Sequence, residues 1–180
     1  MNSLARFMRG IVTAVPIALL SGCYQVSHYS GDGQLIDNGP FAATDRYVLN
    51  LSPVDLTQRG KKTFRMANLP EANFVTGFEI SVAPEDRAAI EQRLTNPTVS
   101  LELSETAGKV LFSKASALDA WTWSVPSQGR QAFVYGSGEP GTYFNAVPGT
   151  EYTLTLSVLE PDRSRSRYAT RLVAKSGGWK

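Results

Sequence analysis

The sequence predicts a mainly β protein: an antiparallel β-sandwich, immunoglobulin-like or jelly-roll-like, with one short helix near residues 84–94. After residue 47, apolar side chains recur at every second position in many short runs. Glycine and proline separate these runs where the chain must reverse direction. Strands with one buried face and one solvated face show this alternation. About eight to ten such strands with a single helix favour a sandwich.

The clearest strand spans residues 152–158, where tyrosine, two leucines and valine alternate with threonine and serine. The same alternation predicts strands at 47–51, 62–68, 74–82, 98–104 and 121–125. Further candidate strands lie at 109–114, 132–136, 142–147 and 168–175. The helix near 84–94 is predicted because Pro84 opens the segment, two acids occupy its first turn, and Ile90 and Leu94 lie at helical spacing.

The first 23 residues have the composition of an export signal. Arg6 and Arg9 precede an apolar run over 11–20, and no acidic residue interrupts them. The run is shorter than the roughly 20 apolar residues that a membrane-spanning helix needs. The sequence Leu20-Ser21-Gly22-Cys23 that follows resembles the lipobox of bacterial lipoproteins. The resemblance implies cleavage between Gly22 and Cys23 and lipidation of Cys23, with acyl chains such as palmitate. The alternatives are a plain signal cleaved elsewhere and an inert cysteine.

Three segments follow from this interpretation: a signal peptide at 1–22, a lipidated cysteine with a tether at 23–46, and one β-sandwich domain at 47–180. Glycine, asparagine and aspartate in 24–46 favour a spacer. Leu35, Ile36 and Phe41 are more apolar than a linker needs, so part of this segment is also a candidate for docking on the domain. Tyr24 follows the cysteine where an aspartate would resemble an inner-membrane retention signal, which indicates the outer membrane facing the periplasm. The cell surface is the alternative.

The charge balance argues against nucleic-acid binding. The whole chain has 18 basic and 16 acidic residues, and loss of Arg6 and Arg9 with the signal leaves it formally neutral. Basic residues concentrate near the C-terminus, where Arg163, Arg165 and Arg167 alternate with serine. Such an arginine edge suits anionic lipid headgroups, an anionic polysaccharide or an acidic protein. It equally suits a solvated loop that protects a sheet edge from pairing.

The residue inventory argues against an enzyme and against a metal or cofactor site. His28 is the single histidine, and it lies in the expected tether, where catalytic geometry would be hard to hold. Lipidation would remove Cys23 as a nucleophile. The sequence has no zinc-ligand spacing, no calcium-loop ligand pattern and no phosphate-binding glycine motif. Acids such as Glu79 and Glu102 fall on expected solvated strand faces.

Aromatic residues form the main candidate binding group. Trp121, Trp123, Tyr143 and Phe144 lie within a short part of the chain, and exposed aromatic rings stack on sugars or anchor protein partners. Trp121 and Trp123 alternate with polar residues, which favours inward-facing core positions. Tyr143 and Phe144 are adjacent, so on a strand they face opposite ways.

The sequence therefore predicts a lipid-anchored envelope protein with a non-catalytic binding or scaffolding role. Its expected partners are the membrane, through the lipid, and an envelope protein or a glycan. The alternative is a carbohydrate- or ligand-binding module that uses exposed aromatic residues. A third hypothesis, an envelope hydrolase, has less support because histidine and free cysteine are almost lacking.

Overall fold

The protein is a β-sandwich of two antiparallel sheets, as the sequence predicts. The computed structural model describes residues 24–25, 28–42, 45–81, 96–124, 131–163 and 168–176. The predicted helix near 84–94 lies outside these residues. The strands in chain order are β1 Tyr24–Gln25, β2 Ser30–Gly31, β3 Gln34–Asp37, β4 Tyr47–Val54, β5 Gly60–Ala67, β6 Ala72–Ser81, β7 Thr98–Glu105, β8 Val110–Ala117, β9 Thr122–Ser124, β10 Gln131–Tyr135, β11 Tyr143–Ala146, β12 Glu151–Glu160 and β13 Thr170–Ser176.

Each sheet combines strands that are distant in sequence. The larger sheet has the order β1-β3-β4-β13-β6-β10-β9, and β11 pairs with the first half of β6. The smaller sheet has the order β2-β5-β12-β7-β8. The long central strands β6 and β12 each have neighbours on both sides. They therefore carry much of the core, while β1, β9, β2 and β8 form the edges of the two sheets.

The core lies between the two sheets and uses the side chains that the alternation predicts. On β12, Tyr152, Leu154, Leu156 and Val158 are buried, and the residues between them are not. The same alternation buries one face of β4 and β7, whereas β6 is buried on both faces from Phe74 to Phe78. Each large apolar side chain that leaves water stabilises the fold by roughly 1.5–3 kcal/mol. This inner layer is thus the main source of stability, and it needs no disulfide.

The N-terminal segment belongs to the sandwich, so the expected tether over 23–46 is wrong for its described part. β3 pairs with β4 over its whole length, and Leu35 at its centre is fully buried. Gly31 and Gly33 allow the chain to pass close to its neighbours, because a Cβ there would lie 2.2 Å and 2.3 Å from the carbonyl oxygens of Arg65 and Asn50. The sandwich accordingly starts at least as early as Tyr24, and not at residue 47.

Trp121 lies outside the strand predicted over 121–125. Residues Leu118–Ala120 form a single turn of 3-10 helix, and the backbone N–H of Trp121 closes it by donating to the carbonyl of Leu118. The strand is limited to Thr122–Ser124 in the described residues. The helical turn moves Trp121 inward, beneath the end of the sheet, instead of aligning it along a strand face.

The two ends of the sandwich differ in chemistry. In the larger sheet one row of paired residues connects Tyr24, Asp37, Tyr47, Ser176, Phe74 and Phe144. We call the end that this row approaches the Tyr24 end; it includes the turns after β3, β7 and β11. The opposite end, where Arg59 precedes β5 and Glu160 closes β12, is called the Arg59 end.

Candidate functional surfaces

The predicted site residues fall into described and undescribed groups. Gly22, Cys23, Arg165 and Arg167 lie outside the described residues. Arg163 is exposed at the Arg59 end, where the neighbouring Asp162 donates its backbone N–H to the carbonyl of Leu56. The arginine edge thus begins at the end of the sandwich opposite Tyr24.

Trp121 is a core residue. Its side chain is 1% exposed, its ring centroid lies 5.7 Å from that of Phe78, and its indole Nε1 donates to Ser116 Oγ at 2.7 Å. Trp123 is half-buried against the same core, and its Nε1 donates to the carbonyl of Leu118 at 2.8 Å. Trp121 is therefore not available to stack on a ligand, in agreement with the core alternative.

Tyr143 and Phe144 face opposite sides of β11. Phe144 is buried, with its ring centroid 5.5 Å from that of Phe74 and 5.4 Å from that of Tyr152. Tyr143 is 45% exposed on the outer face of the larger sheet, and its ring meets the edge of Tyr135 at a centroid distance of 6.3 Å. Of this adjacent pair, Tyr143 alone is placed to meet a ligand.

An aromatic group covers part of the outer face of the larger sheet. The rings of Phe133 and Tyr135 stack at 5.3 Å, and Phe133 lies across Gly77, where a Cβ would come within 2.9 Å of the ring. Phe133, Val75 and Val173 are buried despite facing outward. Glycine at position 77 thus lets the Phe133 ring lie flat on the sheet.

An ion cluster lies beside this aromatic group. Lys175 Nζ is 2.7 Å from Glu79 Oε1 and 3.5 Å from Asp45 Oδ2, and it lies 4.8 Å from the centre of the Phe133 ring. Burial raises the pKa of Asp45; Lys175 opposes that rise, and Glu79 adds to it. The cluster links three parts of the chain that are distant in sequence, so its role is to stabilise the fold. Sequence reasoning missed it because no local pattern brings Asp45 to Lys175.

Side-chain hydrogen bonds hold the loop between β10 and β11 against the sandwich. Thr142 is fully buried. Its Oγ1 donates to the carbonyl of Thr76 at 2.6 Å and accepts from the backbone N–H of Gly136 at 3.1 Å. Lys114 Nζ donates to the carbonyls of Ser137 and Pro140. These contacts tie the loop that precedes Tyr143 to β6 and β8.

One strand edge in the smaller sheet is largely open. β5 pairs with β12 along its whole length, but on its other side β2 pairs only with Met66 and Ala67. Arg65 also uses this side, since its N–H donates to Asp32 Oδ2 and its carbonyl accepts from the Asp32 N–H, both at 2.7 Å. In an antiparallel strand, every second residue directs its backbone N–H and C=O to the same side. The N–H and C=O groups of Thr63 and Lys61 therefore point away from β12, as those of Arg65 do. Among the described residues, no strand pairs with them there.

The open part of β5 is rimmed by positive charge. Arg59, Lys61 and Lys62 are exposed. Beside them, a groove of about 330 Å³ passes between the sheets and reaches Leu156 and Val158. The one carboxylate lining that groove belongs to Asp55, whose pKa is lowered by hydrogen bonds from the Thr57 hydroxyl and backbone. This surface therefore combines an unpaired strand edge, a groove lined by both polar and apolar residues, and a cationic rim.

The described part of the chain holds no group of three or more histidine, cysteine, aspartate or glutamate residues that could bind a metal ion. His28 is exposed. Within the same residues, no helix is long and apolar enough to cross a membrane.

Comparison with known proteins assigns this chain to no family. The chain has no significant match among protein-family models, curated proteins or solved structures.

Proposed function

We propose that this protein is a non-catalytic lipoprotein of the bacterial envelope that binds a protein partner along the open edge of β5. In this proposal, residues 1–22 are removed, lipid on Cys23 anchors the chain to the outer membrane facing the periplasm, and the sandwich is the binding module. The observation that carries the binding role is the edge itself. A strand with a fully paired neighbour on one side and unpaired backbone on the other is a template for strand addition.

The chemistry of the edge favours an extended, acidic segment as the partner. The N–H and C=O groups of Lys61 and Thr63 would pair with its backbone, which supplies affinity. Arg59, Lys61 and Lys62 would attract its carboxylates, which supplies fast association and salt sensitivity. Edge lysines also deter nonspecific pairing with neutral strands, so the same residues select an acidic partner over others.

If the chain is anchored at Cys23, the position of the edge leaves it accessible to a partner. β5 runs from Gly60 at the Arg59 end to Ala67 near the Tyr24 end, and eight strand residues extend about 26 Å. A lipid on Cys23 attaches directly before Tyr24. The cationic part of β5 and Arg163 would then lie on the side away from the membrane, accessible to a partner in the periplasm. For the arginine edge, this placement favours an acidic protein over anionic headgroups.

Site-specific photo-crosslinking tests the edge. A photoreactive residue replaces Thr63 in the full, lipidated chain, and a matched control replaces Glu102, which is exposed at the centre of β7 in the same sheet. We expect one discrete adduct from position 63 and none from position 102. Combined Lys61→Glu and Lys62→Glu changes should remove the adduct, whereas Lys109→Glu at the Tyr24 end should not. Equal crosslinking at 63 and 102, or an adduct insensitive to the β5 charges, would exclude this edge as the binding site.

Lipidation has its own test. Intact-mass analysis of the membrane-extracted protein should show loss of residues 1–22 and addition of acyl chains, and Cys23→Ser should leave the precursor unprocessed. A mature protein with an unmodified Cys23 would refute the anchoring.

The carbohydrate-binding alternative has narrower support. Of its four aromatic residues, Trp121 and Phe144 are buried and Trp123 is half-buried, which leaves Tyr143 to carry most of the contact. One exposed ring beside Tyr135 is a small platform for a sugar.

A further inference from the structure

We propose that the Tyr24 end of the sandwich is a second membrane contact, in which Phe41, Val147 and Val110 enter the bilayer interface beside the lipid. This inference rests on the proposed lipidation of Cys23. It replaces the expected spacer with a domain that lies directly on the membrane in one orientation.

The first argument is the length of chain between the lipid and the fold. Tyr24 already pairs with Asp37 in the larger sheet. Cys23 is covalently joined to Tyr24, so the two Cα atoms are about 3.8 Å apart. A lipid on Cys23 would thus hold the adjacent end of the sandwich at the headgroup region, with no linker to lift it away.

The second argument is where the exposed apolar side chains lie. The described residues have five exposed large hydrophobic side chains, and three of them are at the Tyr24 end: Phe41 at 97%, Val147 at 55% and Val110 at 52% exposure. Each follows a turn or lies within one, after β3, β11 and β7 respectively. The other two are Tyr143 on the outer face of the larger sheet and Leu159 on β12. Exposed apolar side chains beside a lipid anchor are placed to enter the bilayer interface.

Hydrogen bonds link the described residues that flank Phe41. The Asn38 backbone N–H donates to the carbonyl of Arg46 at 2.7 Å, and Asn38 Nδ2 donates to that of Asp45 at 2.8 Å. The Ala42 N–H donates to the carbonyl of Gly39, which closes the turn around Phe41. These bonds connect the described residues on both sides of Phe41, whose side chain is almost fully exposed.

Val147 and Val110 extend the same surface to the second sheet. The backbone N–H of Val147 donates to Tyr152 Oη at 2.8 Å, and the N–H of Thr150 donates back to the Val147 carbonyl. On the β7–β8 hairpin, the N–H of Thr106 donates to the carbonyl of Glu151. The turns of both sheets therefore meet at one end. Four strand spacings, roughly 19 Å, separate β3 from β11, so the strands that precede Phe41 and Val147 lie well apart in the sheet.

The contact is apolar and not ionic. Arg46 pairs with Asp37 and Lys109 with Glu105 at this end, while Glu71 and Glu151 add negative charge. We therefore expect the contact to form on zwitterionic phosphatidylcholine and to change little with salt.

An environment-sensitive fluorophore tests the orientation. In the full lipidated chain, whose native cysteine carries lipid, Phe41→Cys is labelled with a nitrobenzoxadiazole group. The matched control is Leu159→Cys, because Leu159 is 43% exposed on β12 toward the Arg59 end. Both proteins are reconstituted into phosphatidylcholine vesicles, floated, and titrated with iodide.

We expect both proteins to float, and we expect iodide to quench the label at position 41 with a constant about threefold or more below that at position 159, because the bilayer shields it. Equal quenching in floated protein would overturn the membrane contact and leave the anchoring intact. Failure of both proteins to float, with an unmodified Cys23 by mass, would overturn the anchoring and the contact together.

Discussion

The ammonium of Lys175 lies 2.7 Å from the carboxylate of Glu79 on the outer face of the larger sheet, where both side chains are more than four-fifths buried. Asp45 joins them from the segment before β4, 3.5 Å from the same ammonium. This cluster ties the last strand, the central strand and the N-terminal part of the sandwich together.

Lys175→Met should destabilise the protein strongly. The substitution leaves the carboxylates of Glu79 and Asp45 without their cation in a mostly buried site, and removal of one member of such a pair costs about 3 kcal/mol. Adding Glu79→Gln should recover part of the loss, since the uncompensated charge is then gone. Urea denaturation of both single variants and the double variant gives the coupling free energy. Additive effects would show that the two groups do not interact.

Asp45 should make stability fall as the pH rises above 3.8. Burial raises its pKa in the folded protein above the ordinary value of 3.8, so the folded state holds the proton more tightly than the unfolded state. That contribution is full below 3.8 and is lost as the pH rises through the folded-state pKa. The free energy of unfolding of native protein, minus that of Asp45→Asn, should therefore decrease across this window. A difference that increases with pH would mean that pairing with Lys175 outweighs burial.

Leu35→Ala measures whether the N-terminal segment is part of the cooperative fold. Leu35 is fully buried, and truncation of such a side chain costs about 2–5 kcal/mol. The matched control is Phe41→Ala in the same segment, where the side chain is 97% exposed and the cost should be close to zero. Thermal or urea unfolding of a soluble form that starts at residue 24 provides the measurement. Equal, small effects would restore the tether interpretation.

Period-two alternation made the core predictable. Tyr152, Leu154 and Leu156 are apolar residues at every second position. A long strand with one buried face shows this spacing in its sequence. Strands β1, β2 and β3 are two to four residues long, and glycine and aspartate surround them. They therefore have the composition of a linker, although the apolar residues Leu35 and Ile36 indicate that this segment could dock on the domain.

The candidate surfaces were predictable only in part. Adjacency on a strand predicts that Tyr143 and Phe144 face opposite sides, but it does not say which of the two faces the core; the structure places Phe144 in the core and Tyr143 outside. The open edge of β5 depends on strand order, and the Lys175 cluster depends on contacts across 130 residues of sequence between Asp45 and Lys175. Neither is encoded in a local pattern.

Thr76 and Thr142 are both buried threonines, but we expect their replacement by valine to change the stability of the protein in opposite ways. Both are at most 1% exposed. The Thr76 hydroxyl has no hydrogen-bond partner in the structure as described, whereas that of Thr142 bonds to Thr76 and Gly136 backbone groups. Valine has nearly the same shape as threonine and lacks the hydroxyl. Thr76→Val should therefore leave stability unchanged or raise it by about 1 kcal/mol, because an unsatisfied polar group is removed.

Thr142→Val should instead destabilise the protein by about 1–3 kcal/mol, since it leaves the Gly136 N–H without its acceptor. Urea denaturation with native protein in parallel resolves differences of this size. Amide hydrogen exchange at Gly136 should accelerate in Thr142→Val and stay unchanged in Thr76→Val. A comparable loss in Thr76→Val would show that the Thr76 hydroxyl is bonded in solution, and unchanged stability and Gly136 exchange in Thr142→Val would show that the loop before Tyr143 does not depend on Thr142.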